Sequence, residues 1–343
     1  MKILHIWKRI DHHSAHSGYD QLSRYLPCTH YRGGKIFHFL YSKNPEKFGW
    51  IKTINPEWYS FEYFCLEMEL LARIHLVSGT IFHMLYGENQ YRYLGYAPLR
   101  RSNRVVASFH QPPDIFPRSI PKPRRLAWAD ALVVVGSSQV DFFRRITRRD
   151  NVHVVPHGVD ADYFTPGPPP DGSAPLRCIS VGWWLRDVET IHKVIELTNR
   201  APGPKVEYHI VTFSCYHDFY RDLPNVHLHS GVPDEELREL YRQSDLLLLP
   251  LKDCTANNAV LEAMACGLPV YTSRTGSVLD YVGEDNAVIA PPRDPQFLAD
   301  ALLAAAADRS RLGPMREASR RRGERFAWPR VAEEMMACYR RIE

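Results

Sequence analysis

Short apolar runs alternate with amphipathic stretches along nearly the whole sequence. Apolar runs of this kind form the strands of a parallel sheet, because such a sheet is covered on both faces, and the amphipathic stretches form the covering helices. The predicted fold class is therefore α/β. The strand candidates are KILHIW, IFHFLY, IFHML, VVASFH, ALVVVG and VHVVP, followed later in the chain by RCISVG, VEYHIVTF, VHLHSG, DLLLLPL, LPVYTS and AVIAPP.

Helices are expected between these runs, at 19–26, 56–77, 188–198 and 234–243, with one more that ends at Cys266. The final segment, FAWPRVAEEMMACYRRIE, carries apolar residues at helical spacing and is predicted to be an amphipathic helix. We expect this helix to pack back onto the first part of the chain.

A proline-rich segment, TPGPPPDGSAP at 165–175, interrupts the alternation. Its prolines and glycines disfavour a helix or a central strand, so it is predicted to be a linker between two doubly wound, Rossmann-like units. The predicted domains are 1–165 and 166–327, with helix 328–343 packing on the first. Ligands of such sheets bind beyond the carboxyl ends of the strands, so two facing units predict a cleft between them.

Composition fits a globular protein, with 45% apolar and 24% charged residues. The longest apolar runs are far shorter than the roughly 20 residues that cross a bilayer, and the start MKILHIW does not resemble a signal peptide. The seven cysteines form no CxxC pair and are expected to be buried thiols. These features predict a cytoplasmic protein.

Positive charge is concentrated in the first half of the chain. Residues 1–165 contain 22 Lys and Arg against 14 Asp and Glu, a net charge of +8, whereas the remainder has a net charge of −4. The favoured interpretation is a solvated surface. The alternative is a site for anionic lipid headgroups or acidic substrates, in which case the first domain would make a peripheral membrane contact. Nucleic acid is not an expected partner, because no known nucleic-acid-binding motif accompanies the charge.

Several common reaction types lack their motifs. The sequence has no GxGxxG after the first strand, no GxxxxGK[ST], no HExxH and no GxSxG, which argues against dehydrogenase, P-loop, metalloprotease and α/β-hydrolase chemistry. His12, His13 and His16 have a spacing that suits a metal, but no carboxylate or cysteine completes the set. They are expected to line a polar cleft instead.

The most informative segment is 245–276, DLLLLPLKDCTANNAVLEAMACGLPVYTSRTG. A buried strand ends in a polar loop, and a helix begins near Asn257 or Asn258, either of which can cap it. The exposed N–H groups at such a helix start suit a diphosphate. Glu262 lies one turn further on the same face, where its carboxylate can accept two hydrogen bonds from a ribose diol.

This segment resembles the signature of retaining GT-B glycosyltransferases of the GT4 type, E-x7-E followed by AMACGxPVV. Further matches follow in family order along nearly the whole chain: Gly18 in the loop after the first strand, His110 in ASFHQP, then ADALVVVGSS, VVPHGVDADYFTP, SVGWW and NVHLHSGVPDEELRELYRQSD. Each match alone is weak, but their common order is specific. The resemblance implies the GT-B architecture of two Rossmann-like domains that face each other across a cleft.

The sequence departs from the family pattern at two places. Cys254 occupies the position of the first Glu of E-x7-E. Either Asp253 replaces this glutamate with a shorter side chain, or the contact with the donor sugar is lost. The family's G-R-L-x-x-x-K-G after SVG is absent, which leaves Arg186 as the cation for the diphosphate. The alternative for Arg186 is a salt bridge with Asp187 or Glu189.

The resemblance implies transfer of a hexose from a UDP- or GDP-sugar, with retention of configuration and without a metal or other cofactor, to an acceptor that is a glycan, a lipid or a small molecule. A nucleotide-sugar-binding protein without transfer activity and a UDP-sugar epimerase are the alternatives. The catalytic assignments are His110, Arg186 and Glu262. The remaining donor-binding assignments are Gly18, Val232, Asp253, Thr255, Asn257 and Asn258. Tyr86 and Glu88 are expected on the acceptor side.

Overall fold

The structure is a computed structural model that describes residues 2–8, 15–33, 39, 42–43, 45–48, 59–94, 102–120, 123–168, 174–203 and 205–343. Within these ranges, no helix combines the length and the apolar character needed to cross a bilayer. The chain forms two compact units. The first consists of Met1–His13, Gly18–His157 and Pro329–Glu343, and the second of Ser14–Ser17 and Gly158–Trp328.

The first unit contains a six-stranded parallel sheet in the order β2-β1-β3-β4-β5-β6. Its strands are β1 Lys2–Ile6, β2 Cys28–Tyr31, β3 Thr80–Met84, β4 Arg104–Phe109, β5 Ala131–Val134 and β6 Val152–Val154. Five of them match predicted runs. The predicted strand IFHFLY lies outside the described residues apart from Phe39, and β2 was not predicted.

Helices cover this sheet, and their bounds differ in places from the prediction. The α-helices are α1 Phe61–Leu76, α2 Gly87–Gln90, α3 Phe116–Ser119 and α4 Val140–Thr147. The described residues also form 3-10 helices at Tyr19–Arg24, Pro45–Phe48, Pro123–Trp128 and Ser137–Gln139. The helix predicted at 19–26 is a 3-10 helix. Helix α1 begins later than predicted because the Ser60 hydroxyl caps it by accepting a hydrogen bond from the Tyr63 N–H (3.4 Å).

The second unit contains a six-stranded parallel sheet in the order β12-β11-β10-β7-β8-β9. Its strands are β7 Leu176–Val181, β8 Val206–Val211, β9 Val226–His229, β10 Leu246–Leu249, β11 Val270–Ser273 and β12 Ala287–Ala290. All six match predicted runs. The order is that of a Rossmann sheet, with its switch point between β7 and β10.

The helices of the second unit are α5 Val188–Arg200, 3-10 helix Ser214–Phe219, α6 Asp234–Arg242, α7 Asn258–Ala265, α8 Val278–Tyr281, α9 Pro295–Ala307, 3-10 helix Arg309–Arg311 and α10 Leu312–Arg325. The sequence analysis did not identify α9 and α10. Helix α7 ends where Gly267 adopts a left-handed conformation (φ 75°) and the Arg320 guanidinium donates to the Ala265 carbonyl (2.7 Å).

The division of the chain differs from the predicted boundary. The main crossing from the first unit to the second falls between His157 and Gly158 rather than at 165/166. The described part of the proline-rich segment has no helix or strand, and 169–173 lie outside the described residues. The loop residues Ala15–Ser17 belong to the second unit although they precede most of the first, an arrangement that the linear reading of the sequence did not predict.

The last helix, α11 Trp328–Ile342, belongs to the first unit from Pro329 onward. Its Tyr339 hydroxyl lies in the core of that unit, hydrogen-bonded to His5 Nε2 (2.8 Å) and His83 Nδ1 (2.6 Å). His83 Nε2 in turn contacts the Ser108 hydroxyl (2.8 Å). Burial lowers the pKa of His5 to about 3, so this imidazole is neutral and depends on hydrogen bonds.

Five of the seven cysteines are buried, as expected, but Cys28 is partly exposed and Cys215 is exposed. The expectation that all the thiols are buried was therefore wrong for these two. Cys215 lies in the 3-10 helix Ser214–Phe219, none of whose side chains is fully buried.

Replacing Tyr339 with Phe should lower the free energy of unfolding by about 1–3 kcal/mol, because it leaves buried histidine nitrogens without their partner. Urea unfolding followed by circular dichroism measures the change. Tyr216→Phe is the matched control, since this partly exposed tyrosine should tolerate the loss of its hydroxyl within about 0.5 kcal/mol. Equal effects of the two variants would contradict a stabilising role of the Tyr339 hydroxyl.

Candidate functional site

The carboxyl ends of β7 and β10 lie side by side at the switch point of the second sheet, where ligands of such sheets bind. The loops after these strands are joined by backbone hydrogen bonds. The N–H of Lys252 donates to the Leu185 carbonyl (2.9 Å), and the N–H of Asp187 donates to the Pro250 carbonyl (3.0 Å). Leu185 has a left-handed backbone (φ 60°), a conformation that costs a non-glycine residue free energy and is common at functional sites.

Arg186 is held in this pair of loops by three hydrogen bonds. Its Nε donates to the Val181 carbonyl (3.0 Å), Nη1 to the Trp184 carbonyl (2.8 Å) and Nη2 to Asn257 Oδ1 (3.3 Å). Only glycine fits at 182, because an added Cβ would lie 2.6 Å from Arg186 Nη2 and φ is 92°. Burial lowers the pKa of Arg186 to about 10, so the guanidinium remains charged at neutral pH.

The salt bridge considered as the alternative role of Arg186 does not form in the described structure. The Asp187 carboxylate instead caps α5, where it accepts from the Thr190 N–H (3.3 Å). Glu189 pairs with Lys252 (2.9 Å). Among the described residues, Arg186 therefore has polar hydrogen-bond partners but no carboxylate within salt-bridge distance.

Asn257, rather than Asn258, caps helix α7. Its side-chain Oδ1 accepts from the Val260 N–H (3.3 Å), and Asn258 is the first helical residue. The same oxygen accepts from Arg186, so one amide fixes both the helix start and the guanidinium. Thr255, also predicted to bind the donor, is buried in the loop just before the cap.

Glu262 is buried on α7, at 5% exposure. Its Oε2 accepts from the Tyr241 hydroxyl (3.0 Å), and its Oε1 accepts from the Ser17 hydroxyl, which belongs to the same unit. Burial raises the pKa of Glu262 to about 7, although these two hydrogen bonds and the charge of Arg186 oppose the shift. A carboxylate oxygen has two lone pairs, so further donors can bind beside Ser17 and Tyr241.

The position of the missing glutamate is tightly packed. Cys254 is 4% exposed, and burial raises the pKa of its thiol to about 12, so it is an unreactive thiol. Asp253 Oδ1 accepts from the Cys254 N–H (2.7 Å). A Cβ on Gly276 would clash with the Cys254 carbonyl, so glycine is required there. Whether Asp253 replaces the missing glutamate stays a prediction.

Val232 lies between β9 and α6, next to Gly231, whose φ of 65° favours glycine. Its side chain packs partly against the core of the second unit. Its assignment to donor binding remains a prediction.

The first unit has its own switch point between β1 and β3. Gly18 follows β1 and adopts φ 99° and ψ 148°, a region that is essentially restricted to glycine. Its assignment to donor binding is compatible with this backbone and stays a prediction. After β3, the Tyr86 hydroxyl donates to Asp20 Oδ1 (2.8 Å), which links the two loops.

His110 follows β4 and lies against the buried Glu88 of α2. Both the His110 and the Gln111 N–H groups donate to Glu88 Oε1, the second at 2.9 Å. His110 Nδ1 lies 3.5 Å from Glu88 Oε2, and the Tyr19 ring packs edge-on against the imidazole at 4.7 Å. Glu88 therefore fixes the backbone that carries His110.

The sequence analysis did not assign Ser17 or Tyr241, and it expected Glu88 on the acceptor side without predicting its contact with His110. Tyr241 lies within the run NVHLHSGVPDEELRELYRQSD, which matches the family. A residue-by-residue comparison of this run with the family could therefore have identified Tyr241. Of the predicted metal-spaced histidines, His12 and His13 lie outside the described residues. His16 Nδ1 is hydrogen-bonded to Asp160 Oδ2 (2.7 Å).

Comparison with known proteins supports the resemblance. Residues 181–308 match the family model described as Glycosyl transferases group 1. The D-inositol 3-phosphate glycosyltransferase of Xylanimonas cellulosilytica is 27% identical over 249 residues, which cover 65% of this chain and 59% of that protein. The chain thus spans somewhat over half the length of this relative.

Solved structures share the fold. A glycosyltransferase from Rickettsia africae superposes with a TM-score of 0.68 at 15% identity, covering 99% of this chain and 98% of the other. The pneumococcal O-GlcNAc transferase GtfA, solved with UDP and GlcNAc, gives a TM-score of 0.61 at 13% identity, covering 80% and 59%. The predicted α/β fold class and GT-B fold are confirmed.

The raised pKa of Glu262 predicts a specific pH dependence of stability. Since the folded-state pKa of about 7 exceeds the ordinary 4.5, the folded protein binds more protons than the unfolded chain between these values. The free energy of unfolding should therefore fall as the pH rises from about 5 to about 8. The Glu262 contribution is up to about 3 kcal/mol.

Glu262→Gln should remove this pH-dependent contribution. The changed hydrogen bonds should then alter the free energy of unfolding by the same amount at every pH. Urea unfolding of both proteins at several pH values measures the difference. Glu284→Gln, at an exposed site, is the control and should follow the wild type. Parallel pH profiles for wild type and Glu262→Gln would show that Glu262 titrates as an ordinary glutamate.

Proposed function

We propose that this chain, whose residues 181–308 match the family model of the group 1 glycosyl transferases, transfers a hexose from a nucleoside diphosphate sugar to an acceptor with retention of anomeric configuration. The observation that carries the proposal is the grouping of Arg186, Asn257 and the start of α7 at the β7/β10 switch point. This grouping supplies a cation and a helix amino end for the diphosphate, which is the leaving group.

Loss of the nucleoside diphosphate leaves positive charge on the anomeric carbon and negative charge on the departing phosphate. Fixed donors stabilise such a charge best, because they need not reorient during the reaction. Arg186 is fixed by its three acceptors, and its guanidinium has five N–H donors, so its donor capacity exceeds these bonds. The N–H groups at 255–258, among them those of Thr255 and Asn258, are proposed as further phosphate ligands.

Glu262 is proposed to bind the ribose diol. The Tyr241 and Ser17 hydroxyls already orient its carboxylate, and orientation before binding reduces the entropic cost of holding the ligand. In the first unit, His110 is proposed to contact the transferred sugar. Glu88 acts on His110 by positioning it through the backbone.

The donor base and the acceptor are proposed at the level of chemical class. UDP is the first candidate nucleotide, because a neighbour with the same fold was solved with UDP, and GDP is the second. The acceptor is a glycan, a lipid or a small molecule. Membrane contact by the first unit stays a prediction. The guanidinium groups of Arg104, Arg125 and Arg149 do not add support for it, because they donate hydrogen bonds to backbone carbonyls.

Incubation of the purified chain with UDP- and GDP-hexoses tests the activity. Release of UDP or GDP that increases with an added acceptor supports transfer, and the product's anomeric proton coupling in nuclear magnetic resonance reports retention. Nucleotide binding without release would favour a sugar-nucleotide-binding protein. Conversion to an isomeric sugar that remains on the nucleotide would favour an epimerase.

Glu262→Ala should raise the Kd for UDP by about tenfold or more, because a hydrogen bond to a charged group contributes about 1.5–3 kcal/mol. Isothermal titration calorimetry measures the Kd. Glu284→Ala removes an exposed carboxylate from the same unit and should leave binding unchanged. Wild-type affinity in Glu262→Ala would refute the ribose assignment.

Arg186→Ala should weaken UDP binding by about tenfold or more but UMP binding much less, because the proposed contact is with the diphosphate. Turnover should fall further if the contact strengthens as charge develops. Arg186→Lys should restore only part of the loss, since Lys keeps the charge without the planar donor fork. The control is Arg221→Ala, an exposed site. Equal losses for UDP and UMP would assign Arg186 a structural role.

A further inference from the structure

Four side chains that can bind metal share one face at the edge of the second sheet. Glu207 and His209 are two residues apart on β8, and His227 and His229 are two residues apart on the edge strand β9, so each pair lies on one face of the sheet. The parallel register pairs His209 with His227 and Val211 with His229. The sheet thus brings residues from two strands, about twenty positions apart in sequence, into one cluster.

The spacing of this cluster suits a transition metal. One ligand atom from each of Glu207, His209 and His227 lies within 4.8 Å of the others, the only such group found among the described residues. Tetrahedral zinc with bonds of about 2.0–2.1 Å needs ligand atoms roughly 3.4 Å apart. His227 is exposed and Glu207 partly exposed, so changes of side-chain rotamer can close the remaining distance.

The hydrogen bonding of His209 gives a second, independent indication. Its Nδ1 lies 3.1 Å from His229 Nε2, whereas its own Nε2 is buried and has no hydrogen-bond partner within the described structure. A metal-bound histidine characteristically uses its second ring nitrogen on a neighbouring acceptor, which fixes the tautomer. With His209 donating to His229, the lone pair of Nε2 is available for a metal.

The surrounding charges are compatible with a cation. Arg177 lies 3.8 Å from Glu207, but both side chains are about one-third exposed, so this pair is weak and a metal can displace it. Glu236 lies near His229 and adds negative charge. His227 and His217 are the other titratable groups that act on His229.

We propose that Glu207, His209 and His227 form a binding site for a zinc-class divalent metal ion. His229 orients His209, and water completes the coordination. Imidazole and carboxylate together favour Zn²⁺ over Mg²⁺, which prefers oxygen ligands. The metal would fasten the edge strand β9 to β8, a role that is independent of the proposed transferase function.

The test uses the full chain, produced without a polyhistidine tag and freed of metal by a chelator. Calorimetry with Zn²⁺ should give one site per chain, and Zn²⁺ should raise the Tm because it binds the folded state. His227→Gln should weaken Zn²⁺ affinity by about tenfold or more, and its exposed position keeps folding intact. His192→Gln, on α5, is the matched control and should bind as the wild type does.

Co²⁺ absorption separates this site from the cysteines. The proposal requires cobalt bands without a thiolate charge-transfer band. A thiolate band, the absence of saturable Zn²⁺ binding, or wild-type affinity in His209→Gln/His227→Gln would overturn it. Tight binding of Mg²⁺ in place of Zn²⁺ would overturn it as well.

Discussion

The hydrogen bonds that Asn257 Oδ1 accepts, from the Val260 N–H and from Arg186, join the two strand ends at the switch point of the second unit. Without this oxygen, the helix start would lose its cap and the guanidinium would lose one of its three acceptors. The other features of the site depend on this link. The backbone bonds between 185–187 and 250–252 bring the loops close enough for it to form.

The same site concentrates ionisable groups that burial pushes toward neutrality. The pKa of Glu262 is raised and that of Arg186 is lowered, in both cases mainly because the groups are withdrawn from water. Among the described residues, neither group forms a salt bridge, and their hydrogen-bond partners are hydroxyls, carbonyls and an amide. Polar partners that carry no full charge leave such a site able to attract a charged ligand.

The local features of the site were predictable in part. The helix near Asn257 and Asn258 followed from capping preference, but both residues can cap, and only the backbone of Asn257, extended at φ −139° and ψ 113°, decides between them. Arg186 was identified by elimination of other cations. Its partners were not, because the carbonyls of Val181 and Trp184 converge on it only through the left-handed turn at Leu185.

The sequence by itself determined the fold class, nine of the helices and strands of the second unit, and the position of Glu262, because apolar periodicity, capping and motif order are local properties. Tertiary structure alone decided that Ala15–Ser17 belong to the second unit, that Tyr241 and Ser17 hold Glu262, and that His209 meets His227. These contacts join residues far apart in the chain. Strand register and packing determine these contacts, and neither can be read from a short segment of the sequence.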